Sequence, residues 1–327
     1  MKKVLAKSLA SIYQGFIWLW WMSYWKFPSR VKRIPARVIS IGNITWGGTG
    51  KTPLVIRLAR DLMDTGKKVA VLTRGYGHDE IQELRESLPG VPVVVHRDRA
   101  KAAALAVRSF GSEILLLDDG FQHLRLHRDL DIVAINATLP FGPGGLIPLG
   151  TLREPLEHLS RAHAFILTKS NLGSKNLHWI RQKLLSIKPH APIYEAFYKA
   201  VDLKDLIRNE SVPFVRIAGK ELAVISGIED PFSFEKTVEH LGAKIVFAAR
   251  FNDHHAYTAG EIAHFINRCR KIGVGCVVTT QKDVYRLKPL LEQKDVLKQN
   301  PDFRFLVLRV EVTIDDEENL LRRCLNP

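Results

Sequence analysis

The sequence predicts an α/β protein: a mostly parallel sheet with helices on both faces, a smaller α/β unit after it, and an apolar helix in front. Three observations lead there. Short runs of consecutive Val, Ile and Leu alternate with helical patterns along most of the 327 residues, and strands apolar at every position are those buried on both faces of a parallel sheet. A glycine-rich turn, "GGTGKT" at 47–52, sits between one of these strands and one of these helices, the context of a P-loop NTPase-like domain. Charge is concentrated at one end: residues 1–60 hold eleven Lys and Arg, and no acidic residue precedes Asp61. Length and 46% hydrophobic content fit about two domains with real cores. The expected parts are residues 1–25, 26–210 and 211–327.

The first part is "MKKVLAKSLASIYQGFIWLWWMSYWKFPSR". Ser8 to Trp25 carries no charge, with Lys2, Lys3 and Lys7 before it and Lys26, Arg30, Lys32 and Arg33 after it. Four of the six tryptophans lie in it, with Tyr13 and Tyr24. About 20 mainly apolar residues are needed to span a bilayer, so this stretch, interrupted by Gln14 and Gly15, is marginal. Aromatic rings favour the headgroup level, and nearby Lys and Arg favour an anionic leaflet. A helix lying in the cytoplasmic face of a membrane is expected; the alternative is a helix packing its aromatics on its own protein. No small-x-small site follows that would mark a cleaved signal peptide.

In the second part the expected strands are 37–43, 68–77, 91–98, 113–120, 129–136 and 163–169, with helices such as "TPLVIRLARDLMDTG" and "RAKAAALAVRSF" between them. "LPFGPGGLIPLGTLREP" (139–155) is too long and irregular for a simple connection and is expected to be a functional loop. A polar stretch near 200–220 leads to a third part with strands at 221–228, 244–251, 274–280 and 303–312 and helices around 231–242 and 261–273.

Backbone N–H groups of the turn and the N-terminus of the helix after it can cradle phosphates. Lys51 would reach the β/γ phosphates and the Thr52 hydroxyl would hold Mg²⁺. The usual pattern has a glycine where this chain has Thr45, which implies a differently shaped loop entrance. "EILLLDDGFQH" ends a strand in Asp118-Asp119, where a carboxylate could hold Mg²⁺; a solvated turn or a helix cap is the alternative. Asp98 of "HRDR" ends another strand on the same edge, where open α/β sheets bind ligands, and could equally be a helix N-cap.

Other classes are disfavoured. Removing the eleven N-terminal cations from 48 leaves 37 basic against 34 acidic residues, so no basic surface is spread over the fold and a nucleic-acid-dependent ATPase is not expected. Cys269, Cys276 and Cys324 have neither CxxC nor metal-ligand spacing and read as buried thiols. A membrane-tethered partitioning-type ATPase switch has a signature lysine where this chain has Trp46.

GNxTxGGTGKTP, LTRGYG, HRDR, LLLDDGFQHLRLHRDLDI, LREP, FNDHHAYT and TTQKD occur in this order across nearly the whole chain. Together they resemble the tetraacyldisaccharide 4'-kinase family, membrane-associated bacterial enzymes that phosphorylate the lipid A disaccharide precursor. That family also lacks the first P-loop glycine. The resemblance implies ATP and Mg²⁺ as cofactors and an acylated disaccharide 1-phosphate as substrate. It puts Asn43, Thr45, Trp46, Gly47, Gly48, Thr49, Gly50, Lys51 and Thr52 on the ATP phosphates, and Thr52, Asp119 and Glu154 around Mg²⁺ with Asp118 close by. Asp98 matches the catalytic carboxylate and His254 its histidine partner, with His255 adjacent. Arg74, Tyr76, Gln122 and His123 would line the acceptor or phosphate region. Lys282 and Asp283 would lie on the second domain, Lys282 near the nucleotide. A monomer on an anionic membrane surface is expected.

A sugar hydroxyl is a poor nucleophile, so a carboxylate that accepts its proton is useful. Phosphoryl transfer otherwise needs charge neutralisation and alignment. A histidine on a second domain would make closure a condition for reaction. Against that role for His254 stands a plain loop position, since Thr258 and Glu261 form a capping box just after it.

Overall fold

The computed structural model describes residues 2–75, 77–293 and 303–326. The chain forms two compact units, Met1–Phe197 with Val312–Pro327, and Tyr198–Glu311. The boundary after residue 210 read from the sequence thus differs from the structure: the change of unit comes earlier, and the C-terminal residues return to the first unit. Arg37 donates to the carbonyls of Cys324 (2.6 Å) and Arg323 (2.8 Å), and Arg57 pairs with Glu317. These contacts tie the terminal helix to the first strand and the helix after it.

The first unit contains α1 (Lys2–Lys26), β1 (Arg37–Gly42), α2 (Lys51–Asp64), β2 (Val69–Thr73), α3 (His78–Ser87), β3 (Val93–Val95), α4 (Arg99–Phe110), β4 (Ile114–Asp118), β5 (Leu130–Asn136), β6 (Ala164–Thr168), α5 (Leu177–Ile187) and the start of β7 (Ile193–Asp205). Its sheet has the order β3-β2-β4-β1-β5-β6-β7 with parallel pairing. β2, β4, β5 and β6 are buried at every position, which is why most of their residues are apolar. From β1 the chain builds outward on one side with β2, β3 and β4, then on the other with β5, β6 and β7. Ligands of open α/β sheets bind at the carboxyl end of such a reversal.

Register places Ile41 of β1 beside Asp118 of β4, so the turns that follow these two strands meet. Glycine is required there. A Cβ at Gly42 would stand 2.5 Å from the Phe121 Cβ, and one at Gly120 would stand 2.5 Å from the Ser40 hydroxyl. Helix α2 buries Leu54, Val55, Leu58, Ala59 and Leu62 at helical spacing, each large side chain contributing about 1.5–3 kcal/mol.

On α1, Ala10 and Ile17 are buried while Ile12, Phe16, Trp18, Leu19 and Trp25 are exposed. Packing on the protein accounts for Tyr13 and Trp21 but not for Trp18 or Trp25. Among the described residues no helix is long and apolar enough to cross a membrane.

The second unit contains the rest of β7, then β8 (Glu221–Ser226), α6 (Pro231–His240), β9 (Lys244–Arg250), α7 (Ala259–Lys271), β10 (Cys276–Thr280), α8 (Gln281–Gln293) and most of β11 (Arg304–Ile314). Strands β11, β10, β8 and β9 are parallel neighbours in that order. The terminal helix α9 (Glu317–Leu325) belongs to the first unit. β7 continues to Asp205, into the stretch read from sequence as a polar connection. Cys269 and Cys324 are buried and Cys276 half-buried, and burial pushes the Cys324 thiol up to about 12.

Candidate active site at the β1 and β4 strand ends

The phosphate turn begins where β1 stops. Asn43 is fully buried and organises it: Nδ2 donates to the Gly47 carbonyl (3.2 Å) and to the Thr49 hydroxyl (3.1 Å). Gly47 has φ 136° and Gly50 φ 75°, values that L side chains adopt at a cost. Gly50 therefore turns the chain into α2, which starts at Lys51 and points its N-terminal N–H groups at the turn. Thr45 bridges to Leu152 and the Trp46 N–H donates to the Thr151 carbonyl at 2.5 Å. The entrance that lacks the usual glycine is thus propped by the 139–155 loop, while the Trp46 ring stays exposed. The Thr168 hydroxyl donates to the Thr49 carbonyl (2.7 Å) from below.

Two carboxylates stand at the end of β4 in opposite electrostatic settings. Asp118 is buried; burial first, and then the Glu80 carboxylate, push it up to about 7 against the pull of Lys51. Burial would raise Asp119 too, but Lys51 and Arg153 outweigh it and hold that group at about 2. The Lys51 ammonium is 3.6 Å from Asp119, and Arg153 reaches both Asp119 oxygens at 2.8 and 3.0 Å. Asp119 adopts φ 56°, a left-handed conformation that Asp tolerates better than most residues.

Arg153 was not among the residues singled out from the sequence. Besides Asp119 it donates to Asn43 Oδ1 at 3.1 Å, so one guanidinium joins the phosphate turn to the acidic strand end. Its signal was present, since it sits inside LREP in the loop already marked as functional. Its neighbour Glu154, expected around Mg²⁺, is buried with both oxygens occupied: Oε2 by His158 (2.6 Å) and Arg161 (2.8 Å), Oε1 by Arg161 (3.2 Å). These partners overcome burial and hold Glu154 at about 2.

For a bound Mg²⁺, the residues that fit are Thr52, half-buried in the first turn of α2, and Asp118. A buried carboxylate whose own surroundings disfavour its charge gains most from a cation. Asp119 and Glu154 already have cationic partners.

Gln122 donates to the Asn43 carbonyl (2.9 Å) and so braces the phosphate turn. Burial first and then Arg99 lower His123 to about 4; its imidazole is neutral, and its buried Nε2 has no hydrogen-bond partner among the described residues. Arg74 is exposed just beyond β2, and Tyr76 lies outside the described residues. Asp98 caps α4, accepting from Ala100 N (3.0 Å) and Lys101 N (3.4 Å) through Oδ1. Its Oδ2 lies 2.8 Å from Arg125. Burial opposes the charge, but those backbone donors and Arg125 hold Asp98 below the usual carboxylate range.

In the second unit, the His254 N–H donates to the Gly227 carbonyl (3.2 Å) in a left-handed conformation, φ 58°. That turn rests on Asp283, which is fully buried and accepts from Gly227 N (3.0 Å), the Tyr257 hydroxyl (2.8 Å), the Thr280 hydroxyl (2.7 Å) and Arg286 (2.8 Å). Lys282 lies beside the histidine, 3.3 Å from His254 Nε2 and 3.2 Å from Asp253. His255 stacks on Phe251 at 4.7 Å and meets Glu261 at 3.1 Å, a packing role. The capping box of Thr258 and Glu261 is present.

Comparisons with known proteins point to one kinase family. A model of the Tetraacyldisaccharide-1-P 4'-kinase family matches residues 2–326. A tetraacyldisaccharide 4'-kinase of Halothermothrix orenii is 36% identical over 317 residues, covering 86% of this chain and 81% of that protein. One from Syntrophobacter fumaroxidans is 35% identical over 319 residues, covering 91% and 81%. Among solved structures, LpxK from Aquifex aeolicus in complex with ATP superimposes with a TM-score of 0.71 at 28% identity, covering 99% of both chains. The chain belongs to the tetraacyldisaccharide-1-P 4'-kinase family.

Proposed function

We infer that this protein transfers the γ-phosphate of ATP to the 4'-hydroxyl of a tetraacyldisaccharide 1-phosphate, giving the 1,4'-bisphosphate in lipid A biosynthesis. The observation that carries the inference is the phosphate turn opening α2 beside the acidic end of β4, joined by Lys51 and Arg153 through Asp119. Family membership supplies the acceptor. Lys51, Arg153 and the α2 N-terminus neutralise and align the phosphates, which is most of what phosphoryl transfer requires. Thr52 and Asp118 would hold Mg²⁺ with ATP, and the ion would supply further charge neutralisation. Asn43 and Gln122 keep the turn in its binding shape.

Asp98 is the base that takes the proton of the sugar hydroxyl, with His254 as its partner, as the family's arrangement implies. Arg125 occupies Asp98 Oδ2, so accepting a proton there requires that pair to open. Arg74 and His123 line the acceptor side. Lys282, expected at the nucleotide, acts through His254, whose ring nitrogen it approaches. The protein works as a monomer, bound peripherally to the anionic cytoplasmic leaflet through the exposed apolar face of α1 and the cations around it. Incubation with γ-labelled ATP and the acceptor tests this: label in the lipid supports it, and label released only as inorganic phosphate refutes it.

A further inference from the structure

We propose that Tyr13 and Trp21 of α1 are positioning residues for Arg153 and Glu154, so that the phosphate site is set by the helix that faces the lipid. The proposal deepens the membrane-surface reading above and rests on it for what the outer face of α1 touches.

Arg153 is held on three sides. Its guanidinium carries Asp119 (2.8 and 3.0 Å) and Asn43 (3.1 Å), its N–H donates to the Ile44 carbonyl (2.8 Å), and its own carbonyl accepts from the Tyr13 hydroxyl at 3.0 Å. One residue on, Glu154 is fixed by His158, and the His158 ring lies tilted against Trp21 with centroids 5.8 Å apart. Tyr13 and Trp21 are a little over two helical turns apart, so one face of α1 meets residues 153–158 at two points, with Ala10 and Ile17 buried along it. Between α1 and residues 155–158 runs a groove of about 470 Å³ lined by Gln14, Ile17, Trp18, Pro155 and His158, among others. The helix is therefore not sealed against this segment, and the two aromatic contacts are points of attachment.

The opposite face presents Ile12, Phe16 and Leu19, exposed by 70%, 71% and 62%. A lipid surface that binds this face selects the seated helix from its fluctuations. Tyr13 then holds the Arg153 carbonyl, and Arg153 holds Asp119 and Asn43. Without lipid, the same contacts form less of the time.

Full-length wild type and Tyr13→Phe are compared in two measurements without acceptor: cosedimentation with phosphatidylglycerol vesicles, and the dissociation constant of MgATP with and without them. Phenylalanine keeps the ring and removes only the donor, so melting temperature is expected to be unchanged. Both proteins should pellet equally. Vesicles should tighten MgATP binding about threefold or more in the wild type, and not in the variant. A wild type that pellets without any gain in affinity, or a variant that gains as much as the wild type, overturns the proposal. If the wild type does not pellet, the membrane reading fails on its own. The positioning role is then decided by the vesicle-free comparison, where equal affinities overturn it and a weaker Tyr13→Phe supports it.

Discussion

Replacing Arg153 by alanine removes one of the two side chains that join the phosphate turn to Asp119 at the end of β4. It donates to Asp119 at 2.8 and 3.0 Å, and after its loss Lys51 remains 3.6 Å from that carboxylate. Hydrogen bonds to charged groups contribute about 1.5–3 kcal/mol each when buried. Because the Asp119 side chain is 20% exposed and Lys51 stays, we expect a discounted total of about 2–3 kcal/mol. At about 2–4 °C per kcal/mol for a unit of this size, melting temperature should fall by about 5–10 °C. The sign of the pH effect follows from Asp119 being held at about 2. A depressed carboxylate stabilises the fold fully above its ordinary value near ~3.9 and loses that contribution as pH falls through the depressed one. The difference between wild type and Arg153→Ala should therefore be full at pH 7 and shrink below about pH 4. Urea unfolding of both proteins at pH 7, 5 and 3.5 measures it. Midpoints that coincide at pH 7, or a difference that grows on acidification, would refute the reasoning.

Lys51→Ala and Thr52→Ala should each nearly abolish lipid phosphorylation while the far-ultraviolet circular dichroism spectrum stays that of the wild type; wild-type turnover in either contradicts the phosphate-turn assignment. Asp98→Ala and His254→Ala should each lower kcat by about 10²-fold or more with a much smaller change in ATP affinity. The double variant should lose little more than the worse single one; additive losses would leave the pair unsupported. His255→Ala should lower stability through its lost stacking on Phe251 and leave kcat nearly intact, since its ring packs within its own unit; a kcat loss matching that of His254→Ala would reverse the assignment of the two. Phe16→Ser with Leu19→Ser alters only exposed positions of α1 and should release the protein from anionic vesicles with an unchanged melting temperature; unchanged pelleting would remove α1 as the anchor.

What could be read from the sequence was whatever local chemistry fixes. The phosphate turn was legible because Gly47, Gly50 and Lys51 stand between a mostly apolar strand and an amphipathic helix. Strands β1, β4, β5 and β6 were legible as mostly apolar runs. β7 was not: "IYEAFYKAVDLKD" alternates buried and exposed positions and ends among charges, so its second half reads as a connection. Helices α3, α8 and α9 are amphipathic but mostly polar in composition, so few apolar residues marked them. Arg153 was overlooked because its partner Asp119 is 34 residues away, a separation set by strand order. The occupied state of Glu154 was closer to hand, since His158 and Arg161 follow it at short spacing in a 3-10 turn. Asp98 is an N-cap, the alternative left open beside a catalytic role, and its Oδ2 faces an arginine; the cap takes one oxygen and Arg125 the other, so chemistry at Oδ2 requires that ion pair to open. The return of α9 to the first strand joins residues nearly the whole chain apart, which no spacing announces.

The central claim is that the turn at Gly47–Thr52 delivers a phosphate to one hydroxyl of a lipid disaccharide. Mass and ³¹P NMR analysis of the lipid recovered after reaction with ATP, for wild type beside Lys51→Ala, tests it most directly. The account predicts a product one phosphate heavier in the wild type, with the new phosphate at the 4' position and the 1-phosphate intact, and unreacted acceptor with Lys51→Ala. A phosphate on another hydroxyl, or equal conversion by the two proteins, would contradict it.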